Sequence, residues 1–340
     1  MALRIGLIGA GGNTKFRHIP GFQAIDGVEV VAVCNRSAKS AQKVADEFGI
    51  EQVVEQVDDI INDADIDAVC VGTWPYMHHD LTIATLNAGK HILTEARMAM
   101  TLSEARAMLA AAESSDRVSM IVPAPRNLKH EATVLEMLDA GFFGDLLEIH
   151  VTALSGQYDP EAPMHWRNRR DLSGNNIMSM GIQNETVRRY AGHEKSVIAH
   201  GKIFTSERVD SETGKVGTVD VPESIGIVAE HESGTTAVYH ISTVAHLGYN
   251  NMALFGTKAS LRYEGNDAFI ATNSDKDWLP LEVDKEKEGG WRVEEEFIEA
   301  IREGKPVTHT NFADGVKYME FTEAVQISMR EGRRVDLPLD

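Results

Sequence analysis

Over the first third of the chain, short runs of uninterrupted apolar residues alternate with amphipathic stretches. Leu3–Ile8, Val28–Val33, Ala68–Val71, His91–Leu93 and Ser119–Val122 read as strands. Between them the pattern predicts a helix over Ala38–Phe48, with Ser37 as N-cap and Gly49 as its stop. A second helix is expected near His79–Asn87, ending at Gly89. Thr101 and Glu104 have capping-box spacing, and Leu102, Ala105, Met108, Leu109 and Ala112 recur on one helix face. Strands that are apolar on both faces and alternate with helices argue for a parallel, doubly wound sheet.

The rhythm changes after residue 123. A helix is expected near His130–Ala140, followed by a strand at Leu147–Leu154. Val197–Phe204, Ser224–Glu230, Thr235–Ser242, Asn251–Phe255 and Ser260–Tyr263 then read as strands joined by short turns such as Glu232-Ser233-Gly234. Strand after strand without crossover helices predicts an antiparallel sheet. Two helices, Val293–Arg302 and Ala313–Glu331, close the chain. The expected organisation is a dinucleotide-binding domain over residues 1–122, then a substrate-binding and oligomerisation domain over residues 123–340.

Composition narrows the partners. The chain has 340 residues, enough for two cores at about 150 residues per domain. Its 52 acidic against 33 basic residues give a net charge of −19. Nucleic acid and anionic membrane both demand positive surface, so neither is expected as a partner. No apolar run approaches about 18 residues, so no transmembrane helix is expected. The two cysteines, Cys34 and Cys70, lie in apolar runs and read as buried, reduced thiols, in keeping with a cytoplasmic protein. No cysteine pair has metal-ligand spacing, and no metal is expected.

The candidate chemistry begins at IGLIGAGGNT, directly after the first strand. Gly9 and Gly11 match the first two glycines of Gly-x-Gly-x-x-Gly, with Gly12 and Asn13 completing the loop. The first glycine makes the turn. The second lets the backbone approach a pyrophosphate at a helix N-terminus. The third position is Thr14, so the close helix–strand contact usually made by glycine is missing. The second strand runs into Asn35-Arg36-Ser37, without the carboxylate that NAD sites place on the ribose hydroxyls. Arg36 can pair with a 2′-phosphate and Ser37 can donate to it, which leans the cofactor, NAD(P), towards NADP.

The stretches GLIGAGG, VEVVAVCNRS, DAVCVGTWPYMHH, LNAGKHILTE, FFGDLLEIHV, HWRN, ALFGTKASLRYEG and EGRRVDLP together resemble the Gfo/Idh/MocA oxidoreductases, the glucose–fructose oxidoreductase and inositol dehydrogenase family. The resemblance spans nearly the whole chain. It implies an α/β fold: an N-terminal Rossmann domain, and a C-terminal α/β domain with a large, mainly antiparallel sheet used in homodimers or homotetramers. It also implies that the last helix packs near the first domain. Members read Glu-Lys-Pro where this chain has Glu95-Ala96-Arg97, and Asp-x-Gly-x-His where it has Ser179-Met180-Gly181-Ile182-Gln183. All three of the family's ionisable catalytic positions are thus non-ionisable.

Positions 179 and 183 share a helix face that donates and accepts hydrogen bonds but does not titrate near neutrality. Glu185 is about 120° off that face and is not expected to substitute. Arg97 cannot act as a base but can clamp a carboxylate, phosphate or oxyanion. The resemblance places Thr73, Pro75 and His78 in the cofactor loop, with Trp74 and Tyr76 near the nicotinamide, and Glu95 at the cofactor. Tyr76 is a proton-relay candidate. His165 is the preferred replacement base, since an imidazole near pKa ~6.5 suits the task. Trp166, Arg167, Ser179 and Gln183, with Arg97, are the expected substrate contacts. The expected function is NAD(P)-dependent hydride transfer on a sugar, polyol or related hydroxy compound. Two alternatives remain open: a dinucleotide-binding sensor or scaffold without turnover, and a lyase or glycosidase that works by transient oxidation.

Overall fold

The computed structural model describes residues 2–125, 127–211 and 213–340. The chain divides into two compact units, Met1–Pro123 with Arg292–Val316, and Ala124–Trp291 with Lys317–Asp340.

The first unit is built on a six-stranded sheet of β1 (Leu3–Ile8), β2 (Val28–Cys34), β3 (Gln52–Val54), β4 (Ala68–Val71), β5 (His91–Thr94) and β6 (Ser119–Ile121). Their spatial order is β3-β2-β1-β4-β5-β6, and every pair is parallel. The order reverses between β1 and β4, which opens a crevice at the carboxyl ends of the strands. The side chains of β4 are buried throughout, as the unbroken apolar run requires. After β1 a π-helical turn, Thr14–His18, runs into α1 (Ile19–Gln23). The helices α2 (Ala38–Phe48), α3 (Val57–Ile61), α4 (His78–Asn87) and α5 (Leu102–Glu113) follow their strands. Ser37 caps α2 through the Ser40 N–H, and Gly49 stops it in the left-handed region. Thr101 caps α5 in the same way.

Most of the strand and helix positions expected from periodicity recur within one or two residues. The short β3 and α3 and the turn after β1 were not legible. β3 is only three residues long and its side chains are partly exposed, so it carries no apolar run. α9 (Val293–Glu303) belongs to this unit, where Phe297 packs edge-on to Phe22 with ring centroids 6.4 Å apart.

The second unit contains α6 (Leu128–Asp139), β7 (Leu146–Leu154), α7 (Arg170–Ser173), α8 (Met180–Ala191), β8 (Glu194–Lys202) and a small hairpin of β9 (Glu207–Val209) and β10 (Val216–Thr218). Then come β11 (Ser224–His231), β12 (Thr236–Ser242), β13 (Tyr249–Gly256), β14 (Ala259–Glu264), β15 (Asp267–Thr272) and β16 (Leu279–Pro280). The final helix, α10 (Phe312–Glu331), precedes β17 (Val335–Asp336). Nine strands form one sheet in the order β16-β15-β14-β13-β7-β12-β11-β8-β17. All pairs are antiparallel except β12 with β7. One face buries Ile149, Val151, Ile225, Ile227, Tyr239 and Leu254 in a core with Val187 and Tyr190 of α8 and Phe321 and Val325 of α10. α10 starts in the first unit, and its residues from Lys317 belong to the second.

Candidate functional site

The glycine loop is pinned from three directions. The Gly9 N–H donates to the Cys34 carbonyl at 2.8 Å, the Gly11 N–H to the Gly9 carbonyl at 3.0 Å, and the Ala10 N–H to Asn35 Oδ1 at 2.7 Å. Gly9 has φ +87°, and a Cβ there would lie 2.6 Å from Thr73 Cγ2 and 2.8 Å from the Thr73 nitrogen. Only glycine fits both demands. At the position usually held by the third glycine, Thr14 is buried and its hydroxyl donates to the Gly9 carbonyl at 3.2 Å. A Cβ on Gly72 would collide with that hydroxyl. The close approach therefore survives, with its glycine moved to the end of β4.

A groove of about 450 Å³ opens beside this loop, among Gly9, Gly11, Asn35, Arg36, Thr73, Trp74 and Tyr76. Gly12 faces open space. The Arg36 guanidinium lies 6.0 Å from the Trp74 ring centroid, a cation–aromatic pair among the lining residues. Asn35 spends its side-chain oxygen on the loop, and Ser37 on capping α2. The Thr73 hydroxyl, also in the lining, is buried without a hydrogen-bond partner. Glu55 and Gln56, just after β3, complete the wall. These two escaped sequence reasoning because β3 did. An open glycine loop, an unused buried hydroxyl and a paired aromatic and cation fit a dinucleotide lying across β2, β1 and β4.

Pro75 starts a short 3₁₀ turn and is buried, whereas Tyr76 is 43% exposed. His78 is fully buried: Nδ1 lies 2.9 Å from the Arg97 carbonyl and Nε2 3.1 Å from the Thr73 carbonyl. It ties two loops together. Burial lowers its pKa, and the two carbonyl contacts oppose that shift. Arg97 itself is 3% exposed.

Glu95 directly follows β5 and is the most heavily bonded acid at this edge. It accepts from Asn13 Nδ2 and, at 3.1 Å, from the Ala96 N–H, and His18 Nε2 lies 3.1 Å away. The other ring nitrogen of His18 is bound to Glu294 of α9. Burial alone would lower the His18 pKa. The hydrogen bonds to Glu294 and Glu95 and their charges reverse this and raise it to about 9. Burial likewise opposes ionisation of Glu95, and the His18 hydrogen bond and charge overcome it to hold the pKa below the usual range. Neither His18 nor Glu294 stood out in the sequence, because 276 residues separate them.

In the second unit, His165 opens a 3₁₀ turn, Trp166–Asn168, in a reciprocal cap. The Arg167 N–H donates to His165 Nδ1 at 3.2 Å, and Asn168 Oδ1 accepts from the His165 N–H at 3.0 Å. Since Nδ1 accepts, the neutral ring carries its proton on Nε2 and presents a donor. Burial and the neighbouring Arg167 lower its pKa. The Arg167 guanidinium stacks 4.1 Å from the Trp166 ring centroid. Ser179 precedes the first turn of α8, and the Gln183 N–H donates to its carbonyl at 3.0 Å. Gln183 is 4% exposed. Glu185 is engaged elsewhere: it accepts from the Ala124 N–H at 3.0 Å and from Arg189 at 2.6 Å. No cluster of three or more metal-ligating side chains occurs among the described residues. Among them, too, no helix is long and apolar enough to cross a membrane.

The geometry defines a dinucleotide-binding oxidoreductase architecture, and comparison with known proteins specifies it. Residues 3–122 match the family model for the oxidoreductase family with an NAD-binding Rossmann fold, and residues 132–262 match the GFO/IDH/MocA C-terminal domain. The chain belongs to the GFO/IDH/MocA oxidoreductase family. It is 26% identical to the levoglucosan dehydrogenase of Pseudarthrobacter phenanthrenivorans, over 99% of this chain and 98% of that protein. It is 29% identical to the 1,5-anhydro-D-fructose reductase of Ensifer adhaerens, over 76% and 74% of the respective chains. A solved levoglucosan dehydrogenase in complex with NADH and levoglucosan superposes with a TM-score of 0.90 at 24% identity, covering 100% of both chains, which shows a shared fold.

Proposed function

We propose that the protein is an NAD(P)-dependent oxidoreductase that moves hydride between the nicotinamide and a carbinol carbon of a sugar, polyol or related hydroxy compound. The observation that carries this reading is the glycine loop beside its groove, in a chain whose two halves match the family's two domains. Family relatives whose names specify sugar and polyol chemistry, including a myo-inositol 2-dehydrogenase from Thermotoga maritima at 23% identity over 98% of both chains, support the substrate class.

When bound, the dinucleotide supplies the hydride acceptor or donor. Gly9, Gly11, Gly12 and Asn13 hold its pyrophosphate. Asn35 keeps the loop shaped, Arg36 reads the adenosine ribose while Ser37, expected beside it, is committed to the cap of α2, and Thr73, Trp74 and Pro75 line the path beyond, braced by His78. Glu95 contacts the nicotinamide end. Arg36 in the lining, with no carboxylate at the end of β2, supports NADPH as the preferred form. In the second unit, His165, Trp166, Arg167, Ser179 and Gln183 are the proposed substrate contacts. The Nε2–H of His165 serves as a hydrogen-bond donor to a sugar oxygen, and Tyr76 and Arg97 are the remaining candidates for proton and charge handling. Ile198, Val228 and Val238 stand side by side and exposed on the large sheet, which supports a homodimer or homotetramer.

The test is a panel of polyols, aldoses, ketoses and anhydro sugars, each with NAD⁺ and NADP⁺ and, in reverse, NADH and NADPH, followed at 340 nm. Stoichiometric cofactor conversion with at least one member supports the reading. Tight dinucleotide binding without turnover across the panel would contradict it.

A further inference from the structure

Beneath the carboxyl edge of β5, three ionisable side chains form a chain almost completely out of water. His18 is 0% exposed, Glu294 is 1% exposed, and the Glu95 side chain is 15% exposed. His18 lies between the two acids, bound to Glu294 through Nδ1 and to Glu95 through Nε2. Gly21, one turn further on, makes room for Glu294: a Cβ there would lie 2.8 Å from Glu294 Oε2. At its outer end the chain meets the glycine loop through Asn13. One imidazolium between two carboxylates leaves one net negative charge, shielded from solvent and therefore weakly screened.

Topology says which half of the cofactor this charge would meet. The glycine loop follows β1, and Arg36 follows β2 on one side of it. A dinucleotide whose pyrophosphate lies at β1 and whose adenosine lies towards β2 extends its other half over β4 and β5. Glu95 directly follows β5. The oxidised nicotinamide ring is a cation and the reduced ring is neutral, so a fixed negative charge at this end discriminates between them.

We propose that the Glu95–His18–Glu294 chain sets the protein's preference between oxidised and reduced cofactor, favouring the cationic form through its net negative charge, with Glu294 acting as a positioning residue that never touches the ligand. The proposal rests on the dinucleotide reading above. The other titratable groups facing the chain are Cys70, whose thiol burial and the nearby acids push well up, and His78, whose pKa burial lowers. Arg97 stays charged throughout the accessible range.

The experiment measures dissociation constants of NAD⁺, NADH, NADP⁺ and NADPH by calorimetry for the wild type and Glu294→Gln at pH 7.5. The substitution keeps shape and removes one negative charge as long as His18 keeps its proton, which the Glu294 hydrogen bond helps to hold and imidazole NMR of the variant checks; where that proton is lost, the pH series on the wild type decides. Loss of one weakly screened negative charge at the nicotinamide end predicts that oxidised-form affinity falls about three- to tenfold relative to reduced-form affinity. Glu294→Asp should restore the ratio. Equal weakening of both forms, or an unchanged ratio, overturns the proposal. Failure to bind any dinucleotide overturns the function reading instead. If Glu294→Gln does not fold, the wild type decides. Between pH 7.5 and 9.5 the imidazolium is lost and the ratio should move further towards the oxidised form, and a flat ratio contradicts the proposal.

Discussion

Gly9 joins two constraints in one residue. Its φ of +87° is rarely adopted by other residues, and its α-carbon faces Thr73 at a distance that leaves no room for a methyl group. Gly9→Ala should therefore displace the loop after β4, lowering the melting temperature and weakening NADH affinity at least tenfold, as read by thermal scanning and fluorescence titration. Arg36 makes a different kind of contribution. Its guanidinium can pair bidentately with a 2′-phosphate, a bond worth about 1.5–3 kcal/mol to a charged partner. Arg36→Ala should weaken NADPH binding about tenfold or more and leave NADH binding within about threefold. Equal effects on both would remove the NADP preference from the account. At this scale the sequence was informative wherever a residue acts through its own backbone, as Gly9 and Gly11 do. It misled on Thr14, where the close contact expected to be missing survives, and it passed over Gly72, because their fit depends on two segments 58 positions apart meeting in space.

Elements were legible where the apolar period was long. Apart from the short β3, the β-strands of the first unit and helices α2 and α5 follow from runs, caps and stops that need no tertiary information. The π-helical turn before α1 was not, because TKFRH has no helical apolar stripe. Its last residue, His18, depends on α9, so its protonation reports the docking of that helix within the first unit. The folded pKa of about 9 lies above the unfolded value near 6.5. The stabilisation from protonated His18 is thus complete below about pH 6.5 and disappears as pH rises through 9. The melting temperature of the cofactor-free protein should fall between pH 8 and 10 more steeply than that of His18→Gln.

In the second unit, Arg189 holds Glu131 at 2.5 Å and Glu185 at 2.6 Å, with all three side chains largely buried. Arg189→Ala leaves two acids facing each other without a cation. Breaking a buried ionic set in this way costs about 3–5 kcal/mol. Chemical denaturation measures it, and a loss under about 1 kcal/mol would contradict the burial of that cluster.

At the scale of the whole chain, each unit is discontinuous in sequence. The first is completed by Arg292–Val316, which supplies Glu294, Phe297 and Arg302. Arg302 donates to the Asp26 and Gly27 carbonyls at 2.8 and 2.9 Å. A fragment ending at Pro123 lacks all three, and should be markedly less stable than the same fragment joined by a short linker to Arg292–Val316. Circular dichroism during urea titration compares the two. Periodicity gave the alternation of elements and the change of rhythm after residue 123, because both are local. The parallel pairing of β7 with β12 and the return of α9 to the first unit are long-range pairings that no local pattern encodes. The family resemblance reached further than periodicity for the same reason.

The central claim is that a nicotinamide dinucleotide lies across the groove beside Gly9 and Gly11. Calorimetric titration of NADH and NADPH into the cofactor-stripped protein tests it most directly. The account predicts one site per chain, with micromolar or tighter affinity for at least one of the two and a loss of at least tenfold in Gly9→Ala. Absence of measurable heat and of fluorescence change for both cofactors at millimolar concentration, in a folded protein, would contradict it.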